Sequence, residues 1–200
     1  MIRFFKSLGA SLLILGTLVG ASHAATTYTQ AIQTFKSAGE SSKFFAKSYG
    51  YAVFPNVGAG AVGIGVASGK GRVYVAGAHV GYTDMKQLSV GPQLGGKSYS
   101  QIIFFEDKRA FDEFISGKFE FGADASVTAV TAGANASAGT GGISKGTSEG
   151  PNDASTQGKY NSGFAVFVVQ KGGLMAGASV SGQKFTYETN AEHVKAAAAE

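Results

Sequence analysis

Apolar and polar residues along this chain change period near Gly50. Between Thr27 and Tyr49, Ala31, Ile32 and Phe35 and then Phe44 and Phe45 recur at helical spacing, with Thr26 or Thr27 as N-cap. Gly39 divides that stretch into two short helices. Beyond Gly50 the chain runs in β-type stretches separated by glycine, at 51–54, 57–67, 72–80, 97–105, 119–132, 160–170 and 174–187. The clearest alternation sets Phe119, Phe121, Ala123, Ala125, Val127 and Ala129 against Glu120, Asp124, Ser126 and Thr128, a strand with one dry and one wet face. Gly58, Gly60, Gly63 and Gly65 sit among Val62, Ile64 and Val66, which reads as strand with bulges, sharp coiling or a second layer in close approach. A helix is predicted over 107–116, capped by Asp107, with Phe111, Phe114 and Ile115 inward and Gly117 closing it. Residues 139–159 have the Gly, Ser, Thr, Asn and Asp composition of an exposed loop, and the alanine-rich 190–200 predicts a terminal helix. The expected architecture is mainly β within the α+β class. It is a strongly curved, glycine-rich antiparallel sandwich or partial barrel with N-terminal helices and one covering helix.

The N-terminus adds a destination. Arg3 and Lys6 precede an apolar run over 8–19, and Ser22-His23-Ala24 places small residues at the two positions a signal peptidase reads. Cleavage after Ala24 is expected, leaving 25–200 as a single exported domain, periplasmic or secreted. The run is shorter than the roughly 18 residues a membrane-spanning helix needs, and no later stretch is long enough. The chain has no cysteine, which excludes disulfides, thiolate chemistry and a lipid-attachment cysteine. Of 17 basic residues Arg3 and Lys6 leave with the signal peptide, so 15 face 13 acidic ones, and a net charge of +2 is too weak to imply nucleic acid.

Candidate chemistry thins out on inspection. Gly91-Pro92-Gln93-Leu94-Gly95-Gly96-Lys97-Ser98 matches the phosphate-loop pattern by letters, but a phosphate loop must open a helix, and Tyr99 to Phe105 reads as strand. A turn between two strands is expected there. Gly63-x-Gly65-x-x-Ser68 lacks the third glycine of a dinucleotide fingerprint, and Gly177-Ala178-Ser179-Val180-Ser181 lacks the final glycine of a nucleophile elbow. His79 and His193, the two histidines of the mature chain, have no triad-like companions in sequence, and the acidic residues are scattered. The reading is a non-enzymatic protein without cofactor or metal; were an activity found, His79 and Asp124 would be the residues to mutate first.

Tyr51-Ala52-Val53-Phe54-Pro55-Asn56-Val57-Gly58 with Gly69-Lys70-Gly71, then Phe121-Gly122-Ala123-Asp124-Ala125-Ser126, then Gln170-Lys171-Gly172-Gly173-Leu174-Met175-Ala176-Gly177-Ala178-Ser179 with Gly182, together resemble the SYLF-domain family. The resemblance spans roughly residues 30–190. It departs at Gly81-Tyr82-Thr83, where many members carry a Gly-x-Trp pattern, and in an ending that reads His193-Val194-Lys195. It implies a lipid-binding module that uses a basic, amphipathic N-terminal segment. Here Lys36, Lys43 and Lys47 with Phe35, Phe44 and Phe45 occupy that region. The residues by themselves leave two readings of the segment: a helix packed on the sheet with solvated lysines, or a membrane-surface face. The functional expectation is peripheral association with anionic membrane lipids, the phenylalanines entering the interface and the lysines meeting headgroup phosphates. The alternative is a structural or protein-interaction module with a partner in the cell envelope.

Overall fold

Two very long strands dominate the protein, because its glycines bend the strands without ending them. The computed structural model describes residues 18–122, 128–129, 158–173 and 180–198. Strand β1 (Gly50–Val75) and strand β2 (Ala78–Phe105) form one antiparallel hairpin around Ala76 and Gly77, both at positive φ. The stretches read from sequence as three strands before residue 81 are thus one strand and the start of the next.

The hairpin breaks register at Phe54/Val57 and at Val62/Ile64, and there it folds back over itself. Close approach proves the fold-back: a Cβ on Gly71 would meet the Phe54 ring at 2.6 Å, and one on Gly50 would meet the Tyr74 carbonyl at 2.5 Å. These glycines are where two backbone layers pass without room for a side chain. The proximal half pairs residues 50–62 with 94–105; the distal half pairs 64–75 with 78–90. On β2 the proximal half continues to β4 (Phe164–Gly173), and the distal half to β5 (Gln183–Thr189), both antiparallel. The two-residue β3 (Thr128–Ala129) joins β4 in parallel. The result is the expected mainly β, α+β sandwich, with five described strands in an open sheet.

The predicted strand over 119–132 appears differently. Glu120 makes an isolated bridge to Lys184, and among the described residues of that stretch Thr128 and Ala129 are strand; 123–127 and 130–132, with most of the alternating set, lie outside the described residues, as does 139–157.

Two apolar layers result. The inner one lies between the halves and joins Phe54, Val73, Met85, Ile103, Phe105, Val166 and Phe185. Helix α3 (Lys108–Ile115) closes it as predicted: Asp107 accepts a hydrogen bond from the Ala110 amide at 2.8 Å, and Phe114 is fully buried with ring centres 4.9 Å from Phe105 and 5.0 Å from Phe185. The outer layer lies on the other face of the proximal half, under α1 (Leu18–Ser37) and α2 (Gly39–Ser42). Strand β4 serves both layers, Val166 and Val168 facing one and Phe167 and Val169 the other, which is why its sequence is apolar without alternation. Helix α1 begins at Leu18, upstream of the expected Thr26 or Thr27 cap, as the alanine-rich 21–25 stretch favours helix. A last helix, α4 (Asn190–Ala197), starts with a reciprocal cap between Thr189 and Glu192.

Candidate functional site

Residues 28–47 divide into a buried side and a wet side. Along α1, Ala31 and Phe35 are one turn apart and pack on the outer layer, Phe35 at 0% exposure. The break at Ala38 is stitched by the Ser41 hydroxyl, which donates to the Phe35 carbonyl at 2.6 Å. Phe44 then enters the same layer, its ring 4.9 Å from Phe167, 5.1 Å from Tyr160 and 5.5 Å from Phe104. Phe45 is half-buried, 4.9 Å from Phe104 and 5.2 Å from Tyr51, with the Lys36 ammonium 5.4 Å from its ring centre. Lys36, Lys43 and Lys47 are all exposed, Lys43 lying 3.2 Å from Glu40.

The structure therefore corrects the expectation that the phenylalanines enter a membrane interface. Phe35 and Phe44 are core side chains, because a sheet face covered in Ile102, Phe104 and Phe167 is available to take them. Of the six, the three lysines and part of Phe45 face outward.

A second cluster was not legible in the sequence. Its centre is Arg72 on β1, whose guanidinium carbon lies 4.4 Å from the Tyr28 ring centre and 5.6 Å from that of Tyr82. Tyr82 in turn stacks on His193 of α4 at 3.8 Å and meets His79 edge-on at 4.8 Å. Polar contacts hold the frame: the Tyr28 hydroxyl donates to the Lys70 carbonyl at 3.2 Å, Asn190 Nδ2 to the His79 carbonyl at 2.9 Å, and His193 Nδ1 lies 3.3 Å from Glu188. The Arg72 Nε is buried without a hydrogen-bond partner among the described residues. Burial, and then the Arg72 cation, lower the His79 pKa, while burial raises that of Tyr28 against the opposing pull of Arg72. Chemically this is a cation–π clasp that ties α1 and α4 to the hairpin. Nothing local announced that Tyr28 and His193, from opposite ends of the chain, would meet Arg72 and Tyr82.

The phosphate-loop letters at Gly91 to Ser98 fall inside β2, at the fold-back, with Gly95 at φ +124°. This is a bend within one strand rather than the expected turn between two, and no helix follows to receive a phosphate. Among the described residues no cluster of three His, Cys, Asp or Glu is placed to hold a metal, and no helix is long and apolar enough to cross a membrane.

Comparison with known proteins adds two matches. The model of the Ysc84 family, described as Las17-binding protein actin regulator, matches residues 86–194. Beta cell expansion factor A of Aeromonas veronii is 30% identical over 169 residues, covering 78% of this chain and 52% of that protein. The chain thus spans about half the length of this curated relative.

Proposed function

Because the chain belongs to the SYLF (Ysc84) family, we propose that it is an exported lipid-binding module that docks peripherally on anionic phospholipid through its basic N-terminal segment. The observation that carries this reading is the division of residues 28–47. Their apolar side is spent on the sheet, and Lys36, Lys43 and Lys47 are left exposed on the solvent side. With Phe35 and Phe44 packed inside, this segment acts by charge, each lysine contributing about 1 kcal/mol near an anionic surface. Such attraction is screened by salt. Residues 25–200 should co-sediment with phosphatidylglycerol vesicles at low salt and be released at high salt. The triple change Lys36→Gln, Lys43→Gln, Lys47→Gln should weaken binding by about a hundredfold. Unchanged binding by that variant would remove the N-terminal segment from the mechanism.

A protein-interaction module is the second reading, and one observation favours it: among the described residues β1 pairs with β2 alone, which leaves a long strand edge of the kind that pairs with other chains. It predicts crosslinked partners in the cell envelope and no dependence on lipid.

A further inference from the structure

The outer face of the distal half is ordered along the strands. At the fold-back end, Ile64 and Val66 of β1 are each 58% exposed and Leu88 of β2 is 65% exposed. Val66 and Leu88 are direct cross-strand partners, and Ile64 is two residues further on, so the three share one face. The next rung is Ser68–Lys86–Lys184, and the one after it Lys70–Asp84–Thr186. Lys86 stands directly opposite Lys184, a like-charge pair that sheets normally avoid. Lys184 is 3.3 Å from Glu120, whereas Lys86 has no carboxylate at ion-pair distance among the described residues.

An apolar end followed by a lysine rung is the arrangement of a surface that enters a bilayer interface. Two strand residues advance about 7 Å, so Val66 and Leu88 lie about 7 Å beyond the Lys86–Lys184 rung and Ile64 about 13 Å beyond it. Interfacial segments bury their apolar side chains about 5–10 Å below the headgroup boundary, which would put the lysine amines at phosphate level. A soluble protein partner would find the apolar residues equally attractive, but it gives no reason for a directly opposed lysine pair that, among the described residues, has one neighbouring carboxylate, Glu120. An anionic lipid surface does.

We infer that the fold-back end of the hairpin is a second membrane-docking surface, in which Ile64, Val66 and Leu88 insert and Lys86 and Lys184 engage headgroup phosphates. This rests on the lipid-binding reading above and gives it an insertion element that the packed N-terminal phenylalanines cannot supply. Insertion and charge act together, so each half of the surface alone leaves only weak attachment.

The chain has no tryptophan, which makes Leu88→Trp a single, unambiguous reporter. With phosphatidylglycerol vesicles its emission should shift to the blue and be quenched by acyl-chain-brominated lipid. The triple variant Ile64→Ser, Val66→Ser, Leu88→Ser, whose sites are exposed, should bind the same vesicles at least tenfold more weakly with an unchanged circular dichroism spectrum. Lys86→Gln should weaken binding about fivefold. If the parent chain binds while the emission of the Leu88→Trp variant stays unshifted and the serine variant binds equally, this surface is wrong and the lipid reading stands. If the parent chain binds no vesicle, the lipid reading fails first. If the parent sediments as an oligomer that the serine variant dissociates, the face is an interface between copies and the inference is overturned.

Discussion

The two halves of the β1–β2 hairpin are made of the same two strands and meet opposite fates. The proximal half is covered on both faces, by the distal half and α3 on one side and by α1 and α2 on the other. Among the described residues the distal half is covered on one face along its length, and on the other only at its turn end, where α1 and α4 meet Arg72 and Tyr82. Composition accounts for the difference: Gln101-Ile102-Ile103-Phe104-Phe105 offers apolar side chains to both faces, whereas Ser68, Lys70, Arg72, Asp84 and Lys86 alternate with the buried Ala67, Val73 and Met85. What a sheet face presents decides whether the helices settle on it. Ile64, Val66 and Leu88 stand out because they are apolar on the wet face and uncovered.

The sharpest test of that contrast is a pair of truncations. Phe104 touches Phe44, Phe45, Tyr51 and Phe167 beneath the helices. Phe104→Ala should cost about 3–5 kcal/mol in urea unfolding. Leu88→Ser, on the distal face, should stay within about 0.5 kcal/mol of the parent. Equal losses would mean that the distal face is covered in solution.

The apolar layer between the halves also holds a polar pair. Gln101 and Gln183, both at 0% exposure, exchange two hydrogen bonds, Gln101 Nε2 donating at 2.7 Å and Gln183 Nε2 at 3.1 Å. Tyr99 lies beside this pair, its phenol pushed up to about 12 by burial. Gln101→Ala removes the donor to the buried Gln183 side-chain oxygen and should cost about 1–3 kcal/mol. Replacing both residues with leucine should cost less than the two single changes summed, and a double-mutant cycle measures the difference. Strict additivity would show that the pair does not couple the layers.

The smallest effect lies at the turn end of the distal half. Burial and the Arg72 cation depress the folded-state pKa of His79 below its ordinary 6.5, so the unfolded chain takes up the proton at higher pH than the fold does. Stability tied to the neutral imidazole is therefore complete above about pH 6.5 and is lost as pH falls through that range. The thermal midpoint should decline modestly between neutral pH and about pH 5, and His79→Gln should flatten the decline. His193 and Glu188 are unchanged in that variant, so the difference between the two profiles belongs to His79. A profile unaltered by the substitution would place the titration elsewhere in the cluster.

Much of this was readable locally. Asp107 as a cap and the glycine-studded 57–67 as strand depend on neighbours within a few residues and are present in the fold, and the helix break expected at Gly39 falls one residue earlier, at Ala38. The family likeness was readable for the same reason, since its blocks are local. Three decisions belonged to the tertiary structure. An amphipathic helix carries the same pattern whether its apolar side meets a sheet or a bilayer, so only the presence of Ile102, Phe104 and Phe167 opposite sent Phe35 and Phe44 inward. Glycines that bend a strand look like glycines that end one, so the single folded hairpin was not legible. The Arg72 clasp and the uncovered apolar face depend on residues distant in the chain. Contacts of that range are selected by the packing of whole layers, and no local pattern encodes them.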